Sequence, residues 1–273
     1  MARTKLSALL ALATITAVGA DELTVLPSQI NGVAPEAMMD AWLKKQAFAA
    51  LDRRDAEYEK LKTTEDLKAY QQRRRNFFLE QLGGFPERTP LNARTVGQQT
   101  FADYRIEKVI FESQPRFYVT ATLYLPLTPG PHPGVLHPTG HSTNAKARDL
   151  YQQASIVMAK HGVAVLCYDP IGQGERHHFL KPDGKLLLGG TTQEHQLMGI
   201  GCTLLGSSLA RYMIWDGMRA IDYLQSRPDI DPKRIGCTGI SGGGTMTSYL
   251  MALDDRIVSA APGCYLTGFR RLL

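Results

Sequence analysis

Four short apolar runs constrain this chain most: "HPGVLHP", "VAVLCYDP", "DPKRIGCTGI" and "RIVSAAPGC". Runs this short with flanking Gly and Pro read as buried strands. Between them lie helical stretches: "AKARDLYQQASIVMAKHG", "LARYMIWDGMRAIDYLQSRP" and "GGGTMTSYLMALD". In the second of these, Met213, Ile214, Met218, Ile221 and Leu224 share one side. Buried strands alternating with helices predict a mostly parallel sheet with helices on both faces. Upstream, "YRIEKVIFES" and "RFYVTATLYLP" flank "SQP", which predicts an antiparallel hairpin beginning near Arg105.

The chain has a different character before residue 105. From Pro35 to Leu82 apolar residues recur at helical steps: Met38, Trp42, Phe48, Leu51, Tyr58 and Leu61. Thr64 is positioned to cap a second helix, with acids in its first turn, and "GGFPERTP" breaks the pattern. These helices are expected to pack against the main domain. The first residues follow another logic: basic Arg3 and Lys5, a short apolar run, then small residues at Val18 and Ala20. That order predicts a secretory signal peptide cut after Ala20, with an uncleaved anchor or buried helix as the alternative. The expected organisation is 1–20 leader, 21–104 helical extension and 105–273 main domain. The expected location is secreted or periplasmic, without membrane attachment after cleavage.

Charge narrows the partners. The formal net charge is +5, and removing Arg3 and Lys5 with the leader brings it to +3. The dense basic run Arg73–Arg75 sits in a helical pattern and reads as a solvated face. No basic–aromatic interleaving points to nucleic acid. Cys167, Cys202, Cys237 and Cys264 match no metal spacing and imply no particular disulfide. Cys167 and Cys237 lie in strand-like runs, where cysteine acts as a small hydrophobe. Neither a metal nor an organic cofactor is called for, and no pattern specifies an oligomeric state.

The chemistry centres on Gly239-Ile240-Ser241-Gly242-Gly243, a G-x-S-x-G pattern between a strand and a helix. A serine held on a strained strand-to-helix turn can present its Oγ as a nucleophile, provided its neighbours have almost no side chain. The Gly242 N–H at the helix start can point at a developing oxyanion. A second donor is expected from the backbone of Gly140 or His141 in "VLHPTGHS". The side chains of His137 and His141 read as local hydrogen-bonding groups. The alternative for the whole motif is a glycine-rich turn carrying a structural serine.

The ordered segments "HPTGH", "YDPIGQGER", "TQEH", "RYMIWDGMRAIDYLQSRPDIDPKRIGCTGISGGG" and "ALDDR" resemble α/β-hydrolases of the acetyl xylan esterase family, with dienelactone-hydrolase-like relatives. The resemblance covers roughly 105–273, with 35–104 as the lead-in. It implies an α/β-hydrolase fold and a small-molecule or carbohydrate ester as the substrate. Ser241 becomes the nucleophile and Gly242 an oxyanion donor. The loop from Asp169 through Gln173 to Glu175 borders the site, and Glu194 and His195 are further candidate site-lining residues.

The same resemblance exposes a gap. The fold orders its triad Ser, then Asp or Glu, then His. After Ser241 the acids are Asp254 and Asp255, and the last histidine of the sequence is His195. Thirteen residues of helix place those acids roughly 20 Å along the axis from the nucleophile. Three explanations compete: the acid, the base and the last strands belong to a longer polypeptide; an upstream pair such as Glu194–His195 substitutes; or the protein binds without catalysing. The first predicts an inactive chain with an uncovered last strand prone to association. A prolyl-oligopeptidase-like peptidase is a rival enzyme reading, though the lead-in is far too short for a propeller.

Overall fold

The computed structural model describes residues 19–273. The segment expected to be a leader, 1–20, therefore lies almost wholly outside the described residues. Within them, 19–61 with 269–273 form one compact unit and 62–268 another.

The first unit is built on α1 (Met38–Tyr58), none of whose residues is buried. The short α7 (Phe269–Leu272) belongs with it. Arg270 pairs with Asp52 at 2.6 Å and lies over the Phe48 ring.

The second unit begins with α2 (Thr64–Leu82). Its cap is Thr63, one residue before the expected Thr64. The Thr63 hydroxyl accepts from Asp66 N, and the Asp66 carboxylate accepts from Thr63 N, both at 3.0 Å. This reciprocal box needs an acid at the third helical position, which Asp66 supplies only if Thr63 is the cap. Gly83, at φ 73°, closes the helix in the left-handed region.

Seven strands follow: β1 (Arg94–Thr100), β2 (Tyr104–Gln114), β3 (Phe117–Pro126), β4 (His132–Pro138), β5 (Ala164–Tyr168), β6 (Ile230–Ile240) and β7 (Ile257–Gly263). They form one sheet in the order β1-β2-β3-β5-β4-β6-β7. The first three pair antiparallel, and β3 meets β5 antiparallel. From β5 through β4 and β6 to β7 all pairing is parallel. The fold is mostly parallel α/β, as expected. The sheet nevertheless starts at Arg94, inside the segment read as a helical extension. "RTVGQQT" is mostly polar and exposed, so periodicity could not reveal an edge strand there.

Three helices cover the sheet between β4 and β7: α3 (Asp149–Lys160), α5 (Leu209–Gln225) and α6 (Gly242–Leu253). A further helix, α4 (Thr191–Leu204), follows the Asp169 loop and carries Glu194 and His195. Helix α5 is buried nearly all round, including Trp215, Asp216, Gly217 and Arg219, so its expected single face was too narrow. A β-carbon at Gly217 would come 2.7 Å from Leu250, so glycine lets α5 and α6 approach. Strand β5 is buried on both faces. Leu166 and Tyr168 join the α5–α6 core, and Val165 and Cys167 the smaller core under α3.

Chain order fixes where a site can form. From β4 the chain goes to β5 on one side, and β6 returns to the other. Such a reversal opens a crevice at the carboxyl ends of the strands. Pro138, Tyr168 and Ile240 end there, leading into Thr139–Ser142, the Asp169 loop and Ser241.

Candidate active site

Ser241 has φ 57° and ψ −119°, outside the regions an L-residue favours. Two bonds hold it there. Its N–H donates to Gly263 O, and its carbonyl accepts from Thr245 N, each at 2.9 Å. The glycines around it have separate steric reasons. A β-carbon at Gly239 would lie 2.5 Å from Pro138 O, and one at Gly243 would lie 2.2 Å from the same oxygen. The end of β4 therefore passes directly against the elbow, and only glycine admits it.

The loop after β4 wraps the serine. A β-carbon at Gly140 would be 2.5 Å from Ile240 O and 3.3 Å from Ser241 Cβ. The expected oxyanion role of Gly140 needs revision, because its N–H donates to Tyr151 Oη at 2.8 Å. An oxyanion would have to displace that buried phenol. The backbone N–H of His141 makes no hydrogen bond among the described residues and is free to serve as the second donor. Tyr151 gave no signal in the sequence; its tie to Gly140 exists only because α3 packs on β4 and β5.

Among the candidate site-lining residues, Asp169, Gln173 and Glu175 build the loop, and of the three Gln173 also lines the pocket beside the nucleophile. Asp169 is fully buried. It accepts from Thr120 Oγ1 at 2.7 Å and forms a close ion pair with Lys146. A β-carbon at Gly174 would strike its carboxylate. Gln173 Nε2 donates to Gly140 O at 2.8 Å and Ser142 O at 3.2 Å, fastening this loop to the oxyanion loop. Glu175 is exposed and pairs with Lys146 at 3.4 Å. Beneath them, buried Arg176 holds Asp169 O and the Asp216 carboxylate, the latter at 2.7 Å.

The Glu194–His195 pair does not assemble into an acid–base dyad. The buried Glu194 carboxylate accepts from His177 Nδ1 at 2.7 Å and from His178 N at 3.1 Å. His195 Nε2 donates to Ile171 O at 2.7 Å. The pair sits on α4, where adjacent residues point to different faces. Asp254 and Asp255 are likewise engaged, by Arg256 and Arg75. His137 is a buried local hydrogen-bonding residue, as read, with Nδ1 3.0 Å from Ser155 Oγ.

A pocket of about 230 Å³ opens beside the nucleophile. Its polar side carries Thr139, His141 and His195; its apolar side carries Leu209, Met213 and Met246. A β-carbon at Gly242 would lie 2.9 Å from His141 Nδ1, so that ring packs on the residue after the serine. Burial, and secondarily the nearby His195, lower the His141 pKa below its ordinary value. All four cysteines are free thiols, and no cluster of metal-ligating side chains occurs among the described residues.

The family model for acetyl xylan esterase (AXE1) matches residues 56–273. The chain belongs to this family. The match starts well before Arg105, taking in α2 and β1 as part of the family's own structure. YtaP of Bacillus subtilis (strain 168), which bears a hydrolase name, is 29% identical over 199 residues, 67% of this chain and 60% of its own length. Acetyl Xylan Esterase 1 from Thermoanaerobacterium sp. JW/SL YS485 superposes with a TM-score of 0.55 at 20% identity, covering 72% of this chain and 60% of that one. BF1801 from Bacteroides fragilis NCTC 9343 gives 0.61 at 20% identity, covering 72% and 53%. These two likenesses establish the α/β-hydrolase fold. The chain spans about half to three-fifths of the length of these relatives.

Proposed function

We propose that this chain is the nucleophile-bearing part of an exported serine ester hydrolase that removes acetyl or similar small acyl groups from carbohydrate. One observation carries the reading: Ser241 is held at φ 57° on a tight strand-to-helix turn at the start of α6. Family membership and the esterase relatives support the class of reaction. The small pocket supports a small acyl group, since about 230 Å³ lies below the usual range for drug-sized ligands.

In this reading Ser241 Oγ attacks the ester carbonyl and the N–H groups of Gly242 and His141 receive the oxyanion. The alcohol leaves with a proton from a histidine, and water then hydrolyses the acyl-enzyme. The histidine and its acid belong to polypeptide outside this sequence. Three facts support that: no histidine follows Ser241 in the sequence, Glu194 serves His177, and among the described residues β7 has a neighbour on one side only. Without a base the serine is a weak nucleophile, so the 273-residue chain alone should be nearly inactive.

The test pairs this chain with a polypeptide extended to the length of its relatives. Both are assayed with p-nitrophenyl acetate and a serine-reactive fluorophosphonate. The extended protein should hydrolyse and label, and Ser241→Ala should abolish both. Hydrolysis by the short chain that needs both Ser241 and His195 would move the base upstream. No labelling of either form would leave a binding scaffold, and cleavage of a peptide anilide would favour a peptidase. Export is tested by N-terminal sequencing of the protein from the periplasm or medium, which should begin at Asp21.

A further inference from the structure

A second concavity lies away from the nucleophile, on the α3 side of β1, β2 and β3. It encloses about 360 Å³. Strand alternation sends Ile106, Lys108 and Ile110 of β2 to this face, and Thr120, Thr122 and Tyr124 of β3 beside them. Arg94 and Val96 of β1 form one rim; Lys146 and Glu175 form the other.

Its charges are unbalanced. Lys146 is already committed to Asp169 and Glu175. Arg94 and Lys108 are exposed, and neither has an ion pair or hydrogen bond to a side chain among the described residues. Two free cations therefore stand over a floor of Ile106, Ile110 and Tyr124, with the Thr122 hydroxyl and the Gln152 amide oxygen at hand, the Gln152 Nε2 donating to Ala147 O at 2.7 Å. Free cations suit a carboxylate, an apolar floor suits the C–H face of a sugar ring, and hydroxyl and amide groups suit sugar hydroxyls. The volume is far larger than a simple anion needs and falls within the range of small-molecule sites.

Two loops contribute residues both to this concavity and to the candidate active site. Gly140 and His141 of the loop after β4 lie against the serine, and Lys146 of the same loop lines the groove. Lys146 lies six positions after Gly140, so their Cα atoms are at most about 22 Å apart. In the Asp169 loop, Gln173 faces the pocket and Glu175 the groove.

We propose that this groove binds a uronate-bearing sugar unit, as an accessory subsite for the carbohydrate chain presented to Ser241. This rests on the carbohydrate-ester reading above. The carboxylate is held by Arg94 and Lys108, and the ring lies on Ile106, Ile110 and Tyr124. Such a subsite selects acidic polysaccharide over neutral polysaccharide without touching the ester.

The test measures binding, not hydrolysis. Calorimetry on the Ser241→Ala chain uses unesterified xylotetraose with and without a uronic acid branch, and inorganic phosphate as a bare anion. The branched oligosaccharide should bind at least about fivefold more tightly than the neutral one, as expected for exposed charge pairs. Added salt should shrink that difference. Arg94→Gln with Lys108→Gln should abolish it, while Lys108→Arg retains it; both residues are exposed, and unchanged melting would exclude unfolding. Equal affinity for the two oligosaccharides, or discrimination that survives the double substitution, would overturn the proposal. Phosphate binding as tightly as the branched sugar would overturn the sugar assignment. Failure of ester hydrolysis in the extended protein, with discrimination intact, would count against the Ser241 reading and leave the groove standing.

Discussion

The side-chain amide of Gln173 donates to the carbonyl of Gly140 at 2.8 Å, joining the loop after β5 to the loop after β4. Gln173 is 1% exposed and also reaches Ser142 O, so one buried amide satisfies two carbonyls next to the nucleophile. Gln173→Leu keeps the approximate size and removes the donor. It should destabilise the chain by about 1–3 kcal/mol, the cost of stranding buried carbonyls. Denaturant unfolding checks this. A change within a few tenths would mean that the loops are held by something else.

The elbow glycines should be far less tolerant than glycines elsewhere. Gly243→Ala would bring a β-carbon 2.2 Å from the Pro138 carbonyl, which is backbone and cannot swing away. Overpacking of this kind costs about 3 kcal/mol, and more where backbone must move. Gly199, inside α4, has nothing within 4 Å of its β-carbon position. Gly199→Ala should stabilise by roughly 0.5–1 kcal/mol through helix propensity. Thermal melting of the two variants should shift in opposite directions; a shared sign would refute the steric account.

Arg176 and Asp216 form a buried ion pair, with side chains 5% and 1% exposed. Removing one partner leaves a buried charge alone, so Asp216→Leu should cost about 3–5 kcal/mol. Replacing both, with Arg176→Met added, should recover most of that loss. If the double variant is no better than the single, the pair is also needed for its bonds to the Asp169 loop.

His137 supplies a pH dependence. Burial lowers its pKa from 6.5 to about 4. Between those values the unfolded chain binds a proton that the folded chain refuses, so stability falls as pH drops from about 6.5 towards 4. The full contribution is on the order of 3 kcal/mol. Acid also titrates carboxylates, so the informative quantity is the difference between the parent and His137→Gln. That difference should grow with acidification in the variant's favour. A pH-independent difference would remove His137 as the cause.

Much of the fold was legible because its signals are local. Strands β4 to β7 and helices α3, α5 and α6 announced themselves by apolar runs and helical spacing. Strand β1 did not, since "RTVGQQT" sits at an edge and buries almost nothing. Helix α4 was hidden by Gly199 and Gly201 and by a sequence without clear polar and apolar sides. At the site, Ser241 and Gly242 could be read because the elbow needs glycine at fixed offsets. The Gly140 donor was misjudged because its competitor, Tyr151, is eleven residues away and arrives by packing.

The sequence by itself determined the alternation of strands and helices, the strained serine turn and the family. Each follows from side-chain size, backbone freedom and apolar spacing within a few residues. Tertiary structure alone decided which N–H groups are free, which acid serves which histidine and which cations lack partners. Those are questions of pairing between distant segments, where a polar group's role depends on what packing brings within about 3 Å. Glu194 and His195 are neighbours in the chain, yet the fold gives Glu194 to His177.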